Sequence, residues 1–306
     1  MGKGKYTTFL LFLLGLTLLT LSVTLFVTVM LRSPDAVPVS GKTQKTEQVE
    51  PKTDAERRKD FYTMLIAGTD LDGTRTDTIM LASLDTNTGE VNVMSIPRDT
   101  RSYMESGKVH KLNAAHNKGI ERMLTEIENT IGFVPDHYMV INYSVFETVI
   151  DAVGGVTVNV PMNMDYSDPS QDLEIHIKAG EQVLDGKNAL HYMRFRSGYP
   201  DADLGRIRAQ QVLLKSLAHK LKTPAALGLL TKIPEIMEDV ETNLTTKEIL
   251  WLATKVFAVD LDALTVETLP GYAVAADYAV DEEDALALIN DKFNPYEKPI
   301  EALNIP

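Results

Sequence analysis

The feature that most constrains this chain is a long uncharged run near its first residues. Residues Thr7 to Leu31 contain no charged side chain over 25 positions. At about 1.5 Å per residue, a helix of that length exceeds the roughly 30 Å hydrocarbon core of a bilayer. The run is longer than the apolar core of a secretory signal and ends without a small-residue cleavage pattern, which favours a retained transmembrane helix over a cleaved signal peptide. The remainder of the chain is therefore expected to fold on one side of a membrane.

The charges around this run predict the orientation. Lys3 and Lys5 precede it and only Arg32 follows closely, so the positive-inside rule places residues 1–6 in the cytoplasm as a short tail, with residues 7–31 as a single membrane pass. Residues 32–60 are rich in Pro, Ser, Thr, Gln, Lys and Glu, a composition typical of a flexible linker. Residues 61–306 are then an extracytoplasmic domain, and the predicted location is the cell membrane.

Composition excludes several functional classes. The formal net charge is -13, so the basic footprint of a protein that binds nucleic acid is absent. The chain has no Cys, which excludes disulfides, thiolate metal sites and cysteine nucleophiles.

Short apolar runs that alternate with helical patterns predict one layered α/β domain after residue 60. The first three strands are expected at Tyr62–Ala67, Thr78–Leu84 and Glu90–Ile96, the last two joined by a hairpin. An amphipathic helix is predicted over Asn113–Ile131, ending at a Gly132 cap. The later predicted elements are strands at 137–142, 156–160, 173–178 and 264–269 and helices at 144–153 (with a Ser144 N-cap), 187–193, 203–220, 246–257 and 282–292.

The arginines are clustered. Seven of the eleven fall in four short segments, and none occurs in the last 98 residues. The clustered residues are Arg75, Arg98, Arg101, Arg194, Arg196, Arg206 and Arg208. Arginine is preferred over lysine where a site must hold an oxyanion with a fixed fork of donors, so this clustering predicts a phosphate site in an acidic protein.

Each of these segments also has a simpler interpretation. The loop from Asp70 to Asp77 suits a Mg²⁺ that shares its coordination with substrate phosphates, and it equally suits a polar hairpin turn. Arg98 and Asp99 could be an ordinary surface ion pair. Asp203, Arg206 and Gln210 share one helix face, which could equally be a solvated salt-bridged face.

Taken in order, the motifs resemble those of the LytR-CpsA-Psr family of cell-wall proteins. They are Gly68-Thr69-Asp70, Arg75-Thr76-Asp77-Thr78, Ser95-Ile96-Pro97-Arg98-Asp99-Thr100, Lys111-Leu112-Asn113-Ala114-Ala115, Val153-Gly154-Gly155-Val156, Ala189-Leu190 followed by Arg194-Phe195-Arg196, and Asp203 followed by Gly205-Arg206 and Gln210-Gln211. The resemblance covers roughly residues 61–220. The segment 222–306 matches no recognised motif.

The resemblance implies a fold, a reaction and a set of site residues. The fold is an α-β-α layered domain with a central mixed sheet, behind one transmembrane helix, with a deep apolar cleft for a polyprenyl chain. The reaction attaches a glycopolymer of the teichoic acid or capsule type, carried on polyprenyl pyrophosphate, to a peptidoglycan hydroxyl, assisted by Mg²⁺ or Mn²⁺. The motifs assign catalytic roles to Arg75, Arg98 and Asp203, substrate binding to Lys111, Arg194, Arg196, Arg206 and Gln210, and metal binding to Asp70 and Asp77.

The partners implied are the lipid-linked glycopolymer, peptidoglycan and the lipid bilayer, with no nucleic acid. One departure is Ala209, which stands where the family usually has Arg before Gln-Gln. The sequence leaves two other functions open: hydrolysis of the same pyrophosphate, and a non-enzymatic role as a membrane-anchored cell-envelope regulator or polysaccharide-binding protein.

Overall fold

A six-stranded mixed sheet forms the centre of the domain. The computed structural model describes residues 56–70, 73–169, 173–195, 197–199, 203–258 and 265–306, except for the side chains of residues 203, 204, 253, 256–258 and 265. Its strands are β1 (Phe61–Thr69), β2 (Thr76–Asp85), β3 (Glu90–Ser95), β6 (His137–Ile141), β11 (Glu241–Thr242) and β12 (Thr265–Thr268). The sheet order is β11-β6-β1-β2-β3-β12, in which β6 lies parallel to β1 and β12 parallel to β3, while the other pairs are antiparallel.

Both faces of the sheet are covered because its strands place apolar side chains on both sides. On β2, Ile79 and Leu81 belong to one core, whereas Met80 packs in another cluster with Val93 and, on the helix α4 (Asp203–Leu221), Leu214. The first core is closed by α1 (Ile120–Ile131) and α7 (Glu282–Lys292). The predicted layered α/β architecture with a central mixed sheet is therefore confirmed.

A third cluster lies beside the second face and contains the helices that form the site. It joins α2 (Tyr143–Ala152), α3 (Gly186–Arg194) and α4 to two small antiparallel sheets. Those sheets pair β7 (Val156–Val160) with β10 (Gly180–Leu184), and β8 (Met164–Asp168) with β9 (Leu173–Ile177). The remaining elements are the hairpins β4 (Arg101–Tyr103) with β5 (Val109–Lys111) and β13 (Gly271–Val274) with β14 (Asp277–Val280), and the helices α5 (Leu227–Asp239) and α6 (Thr246–Ala258).

Several predicted elements are confirmed and some details were wrong. The Gly132 cap is left-handed at φ 87°, as predicted. The predicted helix 113–131 is two elements, because Gly119 at φ 90° ends a 3₁₀ helix, Leu112–Lys118, before α1 begins. The predicted Ser144 cap is also wrong: the Asn142 side chain accepts the hydrogen bond from the backbone N–H of Val145, at 2.8 Å.

The described part of the chain begins at Glu56, within the segment assigned to the linker, and its first residues contact the domain. Arg57 forms an ion pair with the buried Asp136, and Arg58 lies 3.3 Å from Asp85 and 3.9 Å from the ring centroid of Phe61. None of the helices within the described residues has the length and apolar character to cross a membrane. The predicted span at residues 7–31 lies outside them.

Candidate active site

An apolar cavity of about 190 Å³ lies between the central sheet, α2 and α3. Residues from several elements form its apolar wall: Ile66, Ile141, Phe146, Leu173, Leu190 and Met193. Polar residues line it as well: Asp77, Asn142, Arg194, Arg206 and Gln210. The cavity therefore combines an apolar interior with cations and a carboxylate, which is the composition an amphiphilic anion requires.

Three of the predicted substrate-binding residues are brought together on this cavity by α3 and α4. Arg194 is the last residue of α3, and its guanidinium carbon lies 5.0 Å from the ring centroid of Tyr143, within reach of a cation–π interaction. Arg206 lies near the start of α4 and is 3% exposed. Gln210 follows one turn later, and its amide donates to the Thr78 hydroxyl at 3.2 Å. All three line one cavity, and their role in substrate binding stays a prediction.

A second, more polar cavity of about 360 Å³ lies beside the start of β2 and the end of β3. It is lined by Arg75, Arg98, Asp99, Lys111, Asn113 and Ala114. Arg75 comes from the loop between β1 and β2, Arg98 from the turn after β3, and Lys111 from the end of β5. Three cations on three separate elements thus converge on one space.

The two cavities meet at an ion pair. Asp77 lines the apolar cavity, Arg98 lines the polar one, and Arg98 Nη1 donates to Asp77 Oδ1 at 2.6 Å. The two side chains are 26% and 18% exposed. We call the two cavities, joined at this ion pair, the ligand groove: an apolar compartment next to a cationic one.

Two cations of the groove, Arg98 and Lys111, and the neighbouring Arg101 are paired with carboxylates. Lys111 Nζ donates to Asp99 Oδ1 at 2.9 Å and lies 3.8 Å from Asp277 Oδ1. Arg101 Nε donates to Asp277 Oδ2 at 3.3 Å, and Arg98 Nε lies 3.7 Å from Asp99. This arrangement reduces the like-charge repulsion that a bare cluster of cations would suffer. Asp277 was missed by sequence reasoning because it lies in the segment without a recognised motif.

The two carboxylates that were predicted to bind metal make different contacts. Asp70 Oδ1 accepts hydrogen bonds from the backbone N–H groups of Thr74 at 3.0 Å and Arg75 at 3.2 Å, so Asp70 shapes the loop that carries Arg75. Asp77 lies at the junction of the groove instead. Within the described ranges, no group of three or more His, Asp or Glu side chains is arranged to hold a metal ion. Mg²⁺ usually binds through one or two carboxylates together with substrate phosphates, so Asp77 fits an ion that arrives with its ligand.

Two of the predicted site residues cannot be placed. Arg196 and the side chain of Asp203 lie outside the described residues. Their assignment to substrate binding and catalysis, respectively, stays a prediction.

A neutral histidine lies next to the groove. Burial lowers the pKa of His191 on α3, and the nearby cations Lys187 and Arg194 lower it further. The positive charge on this part of α3 is therefore carried by the arginine and the lysine near neutral pH.

Comparisons with known proteins identify a family and several relatives. The LytR_cpsA_psr family model matches residues 26–293. The chain is 34% identical over 180 residues to the polyisoprenyl-teichoic acid–peptidoglycan teichoic acid transferase TagV of Bacillus subtilis, covering 57% of this chain and 46% of that protein. It is 31% identical over 172 residues to the regulatory protein MsrR of Staphylococcus aureus, covering 56% and 51%. The chain thus spans about half the length of these relatives.

A solved structure shows the same fold. The crystal structure of Bacillus subtilis TagV superposes with a TM-score of 0.61 at 28% identity, covering 73% of this chain and 92% of that one. The superposition extends well beyond the 180 residues that align by sequence with the same relative.

Proposed function

The chain belongs to the LytR_cpsA_psr family, and from this premise we propose that it is a membrane-anchored, extracytoplasmic phosphotransferase. Its substrate is a glycopolymer of the teichoic acid or capsule type carried on polyprenyl pyrophosphate, and its acceptor is a peptidoglycan hydroxyl. The observation that carries the proposal is the ligand groove, in which an apolar cavity meets a cationic one at Asp77 and Arg98. Transfer of teichoic acid is named for the similar TagV protein, and its extension to this chain is part of the proposal.

The two compartments match the two ends of such a substrate. The apolar cavity would hold the part of the polyprenyl chain nearest the diphosphate, with Arg194, Arg206 and Gln210 beside it. The diphosphate would cross the junction so that its sugar-bearing phosphate lies among Arg75, Arg98 and Lys111. Arginine forks and a lysine ammonium are the side chains best suited to grip phosphate oxygens.

The reaction is a substitution at phosphorus. The oxygen of the acceptor hydroxyl forms a bond to the sugar-bearing phosphorus, the bond from that phosphorus to the bridging oxygen breaks, and polyprenyl phosphate leaves with the electron pair. The hydroxyl proton passes to a base. Phosphoryl transfer passes through a loose transition state, so the chain contributes mainly by positioning and by stabilising negative charge. Arg75 and Arg98 are assigned that role, with Asp77 holding the Arg98 guanidinium in place.

The metal is a further part of the proposal. Asp77 at the start of β2, with Asp70 in the preceding loop, would hold Mg²⁺ or Mn²⁺, and the ion would add positive charge on the diphosphate. Because Asp70 Oδ1 already accepts two backbone hydrogen bonds, Asp77 is the main ligand in this assignment.

Membrane anchoring places the groove near its lipid substrate. The uncharged run 7–31 would span the bilayer, and residues 32–55 would connect it to the domain outside the cell. Since the chain has no Cys, a single cysteine introduced at Ser40 would report the topology. A membrane-impermeant maleimide should label it in intact cells, and labelling only after lysis would contradict the orientation.

The transferase activity can be tested with the full chain in liposomes. A polyprenyl-pyrophosphate disaccharide and a short peptidoglycan glycan strand would be supplied with Mg²⁺, and mass spectrometry would measure both products. We expect equal amounts of polyprenyl phosphate and of a phosphodiester adduct on the glycan. Polyprenyl phosphate with free sugar phosphate and no adduct would instead identify a hydrolase.

A matched pair of variants links the activity to the groove. Arg98→Lys keeps the charge but loses the fork of donors, and it should reduce adduct formation by about 10²-fold, the usual effect of removing one oriented donor. Arg58→Lys makes the same change at an ion pair with Asp85 that lies outside both cavities, and it should retain activity. A non-enzymatic regulator or polysaccharide-binding protein would form no adduct in any variant.

A further inference from the structure

A fully buried carboxylate, Glu126, lies on α1 behind the hairpin that carries Lys111. Its side chain has no exposed surface, and both of its oxygens have partners. Oε1 accepts a hydrogen bond from Arg122 Nε at 2.7 Å, and Oε2 lies 2.7 Å from His110 Nε2. Because an ionised carboxylate only accepts, the His110 Nε2–H donates in this contact. A carboxylate is costly to bury unless it is paired, so its partners indicate what Glu126 holds in place.

The contacts of Glu126 reach both strands of the β4–β5 hairpin. His110 is the middle residue of β5, and Arg122 Nη2 donates to the carbonyl oxygen of Tyr103 on β4. Arg122 lies one turn before Glu126 on the same helix, at a spacing that lets the two side chains pair. The helix itself belongs to the first core, in which Ile127 has no exposed surface. The hairpin is therefore anchored to a helix that packs in the core.

The opposite face of this hairpin meets the ligand groove. Successive side chains of a strand point to opposite faces, so His110 faces α1 while the next residue, Lys111, faces the polar cavity that it lines. Arg101 is the cross-strand partner of Lys111. Ser102, the cross-strand partner of His110, is buried. One face of the hairpin thus carries cations, and the other is held by α1.

The contacts on the groove side are ones for which a ligand would compete. Lys111 Nζ donates to Asp99 Oδ1 at 2.9 Å, and Arg101 Nε donates to Asp277 Oδ2 at 3.3 Å. A diphosphate that binds Lys111 would take over donors that now hold the hairpin, which loosens its attachment on that side. Glu126 lies on the other side, so its contacts persist when the ligand binds.

The hairpin depends on such contacts because it is short. Each strand has three residues, and Val109 on β5 is 50% exposed. Met104, which follows β4, is 39% exposed. An isolated two-stranded hairpin is at best marginally stable in water, so its position depends on what it packs against. Any freedom of β5 would be passed directly to Lys111 at its end.

We infer that Glu126, acting through His110 and Arg122, is a positioning residue of the ligand groove: it holds β5 so that Lys111 stays in place for the diphosphate. The inference rests on the proposed function and adds a residue that supports substrate binding without touching the substrate. A buried ion pair is often no more stabilising than apolar residues of similar volume, so geometry is the better reason for a charge at this position. None of the three residues belongs to the motifs that carry the family resemblance.

A spin label on the hairpin tests the inference directly, because the chain has no Cys of its own. Val109→Cys would carry a nitroxide in the full chain, reconstituted in liposomes. Glu126→Leu removes both acceptor oxygens at a similar side-chain size, and we expect the label to become severalfold more mobile in its EPR spectrum. KM for the polyprenyl-pyrophosphate disaccharide should rise severalfold with little change in kcat, since Lys111 is assigned to binding.

A milder variant tests the same link with a smaller loss of stability. His110→Val removes only the contact to β5, at a side chain that is 19% exposed, and leaves the Glu126–Arg122 pair intact. The mobility of the label and KM should both rise. Glu126→Gln keeps the shape, an acceptor for Arg122 and an amide whose hydrogen bond His110 can accept as its other tautomer, so it should restore both values. An unchanged label in His110→Val, or no restoration in Glu126→Gln, would overturn the inference.

Asp136→Asn is the control for a loss of stability alone. Asp136 is another carboxylate without exposed surface; it pairs with Arg57 and accepts hydrogen bonds from the backbone N–H and the hydroxyl of Thr63. Thr63 lies five residues before Gly68, which lines the apolar cavity. The control should lower the free energy of unfolding in urea and leave both the label and KM unchanged. A rise of both in Asp136→Asn would mean that Glu126 acts only through stability.

The mobility of the label needs no substrate, which keeps this inference separate from the proposed function. A label freed by Glu126→Leu in a chain that transfers nothing would remove the transferase and leave the anchored hairpin standing. Glycopolymer transfer with an unchanged KM in Glu126→Leu would leave the transferase and remove the positioning role.

Discussion

The ion pair at the junction of the groove offers the sharpest test of how the site works. Asp77→Asn keeps the shape of the side chain but removes the charge that holds Arg98 at 2.6 Å. The two side chains are 26% and 18% exposed, so the pair is neither fully solvated nor fully buried. Exposed pairs contribute about 0.2–1 kcal/mol and hydrogen bonds to charged groups about 1.5–3 kcal/mol. We therefore expect a loss of about 1–2 kcal/mol in the free energy of unfolding.

The activity should fall much further than the stability. A domain of this size loses roughly 2–4 °C of Tm per kcal/mol, so Asp77→Asn should stay folded at the assay temperature. Transfer should nevertheless fall by about 10²-fold or more, because a misplaced Arg98 no longer stabilises the developing charge and the carboxylate proposed to hold the metal loses its charge. Urea unfolding measured beside the liposome transfer assay would give both quantities on one sample.

A second ion pair on the same strand provides the control. Asp85 at the other end of β2 lies 3.3 Å from Arg58 and also accepts hydrogen bonds from the backbone N–H groups of Asn87 and Thr88. Asp85→Asn should cost at least as much stability and leave transfer intact. Full activity in Asp77→Asn, or an equal loss in both variants, would refute the assignment of Asp77 to the site.

Three further outcomes are expected. Asp277→Asn removes a carboxylate that restrains Arg101, so KM for the lipid substrate should rise severalfold. Asp277→Glu keeps the carboxylate and should keep the original KM. An unchanged KM in Asp277→Asn would show that the β13–β14 hairpin does not contribute to substrate binding. Gly186→Ala would place a Cβ 2.5 Å from the Glu147 carbonyl oxygen. This overpacking of the α2–α3 contact should lower the free energy of unfolding, measured with urea, by about 1–3 kcal/mol. The lowered pKa of His191 means that the unfolded chain binds more protons, so stability is complete above pH about 6.5 and is lost as the pH falls through the folded-state pKa; His191→Gln should flatten this dependence in thermal melts between about pH 5 and 7.

Local patterns in the sequence predicted the elements that local forces determine. The first three strands and the Gly132 cap follow from apolar periodicity and glycine conformation, and the structure has them within one to two residues. The helix predicted over 113–131 failed because a single Gly119 at φ 90° interrupts it, and a glycine within a helical pattern costs only about 1 kcal/mol. Helix α5 was not predicted, although Leu229, Ile233, Ile236 and Met237 recur at helical spacing on its half-buried side.

Within the groove, too, contacts that follow from local pairing could be predicted, and contacts made only by the tertiary fold could not. The register of the predicted hairpin points to the Asp77–Arg98 contact: β2 and β3 pair from Asp85↔Glu90 to Met80↔Ser95, and the same register extended by three residues would set Asp77 opposite Arg98. Hairpin register was therefore the signal that could have shown Asp77 to be paired, and it was not used. No such local signal leads to Asp277, which lies 176 residues from Arg101 and meets it only through the tertiary fold.

The paired state of the cations bears on which anions the groove can select. Lys111, Arg98 and Arg101 each lie within 4 Å of a carboxylate, so an incoming ligand must compete with Asp77, Asp99 and Asp277 for their donors. A chloride ion or a single carboxylate that replaces one such contact gains no binding free energy, because the aspartate that it displaces has the same charge and is already in place. A diphosphate offers several oxygens at once and can bridge cations that separate aspartates hold apart, and the apolar cavity adds binding energy for an anion that carries an apolar chain. Selectivity in this acidic protein thus follows from the carboxylates as much as from the arginines, and replacing an aspartate should broaden the range of anions bound before it abolishes binding.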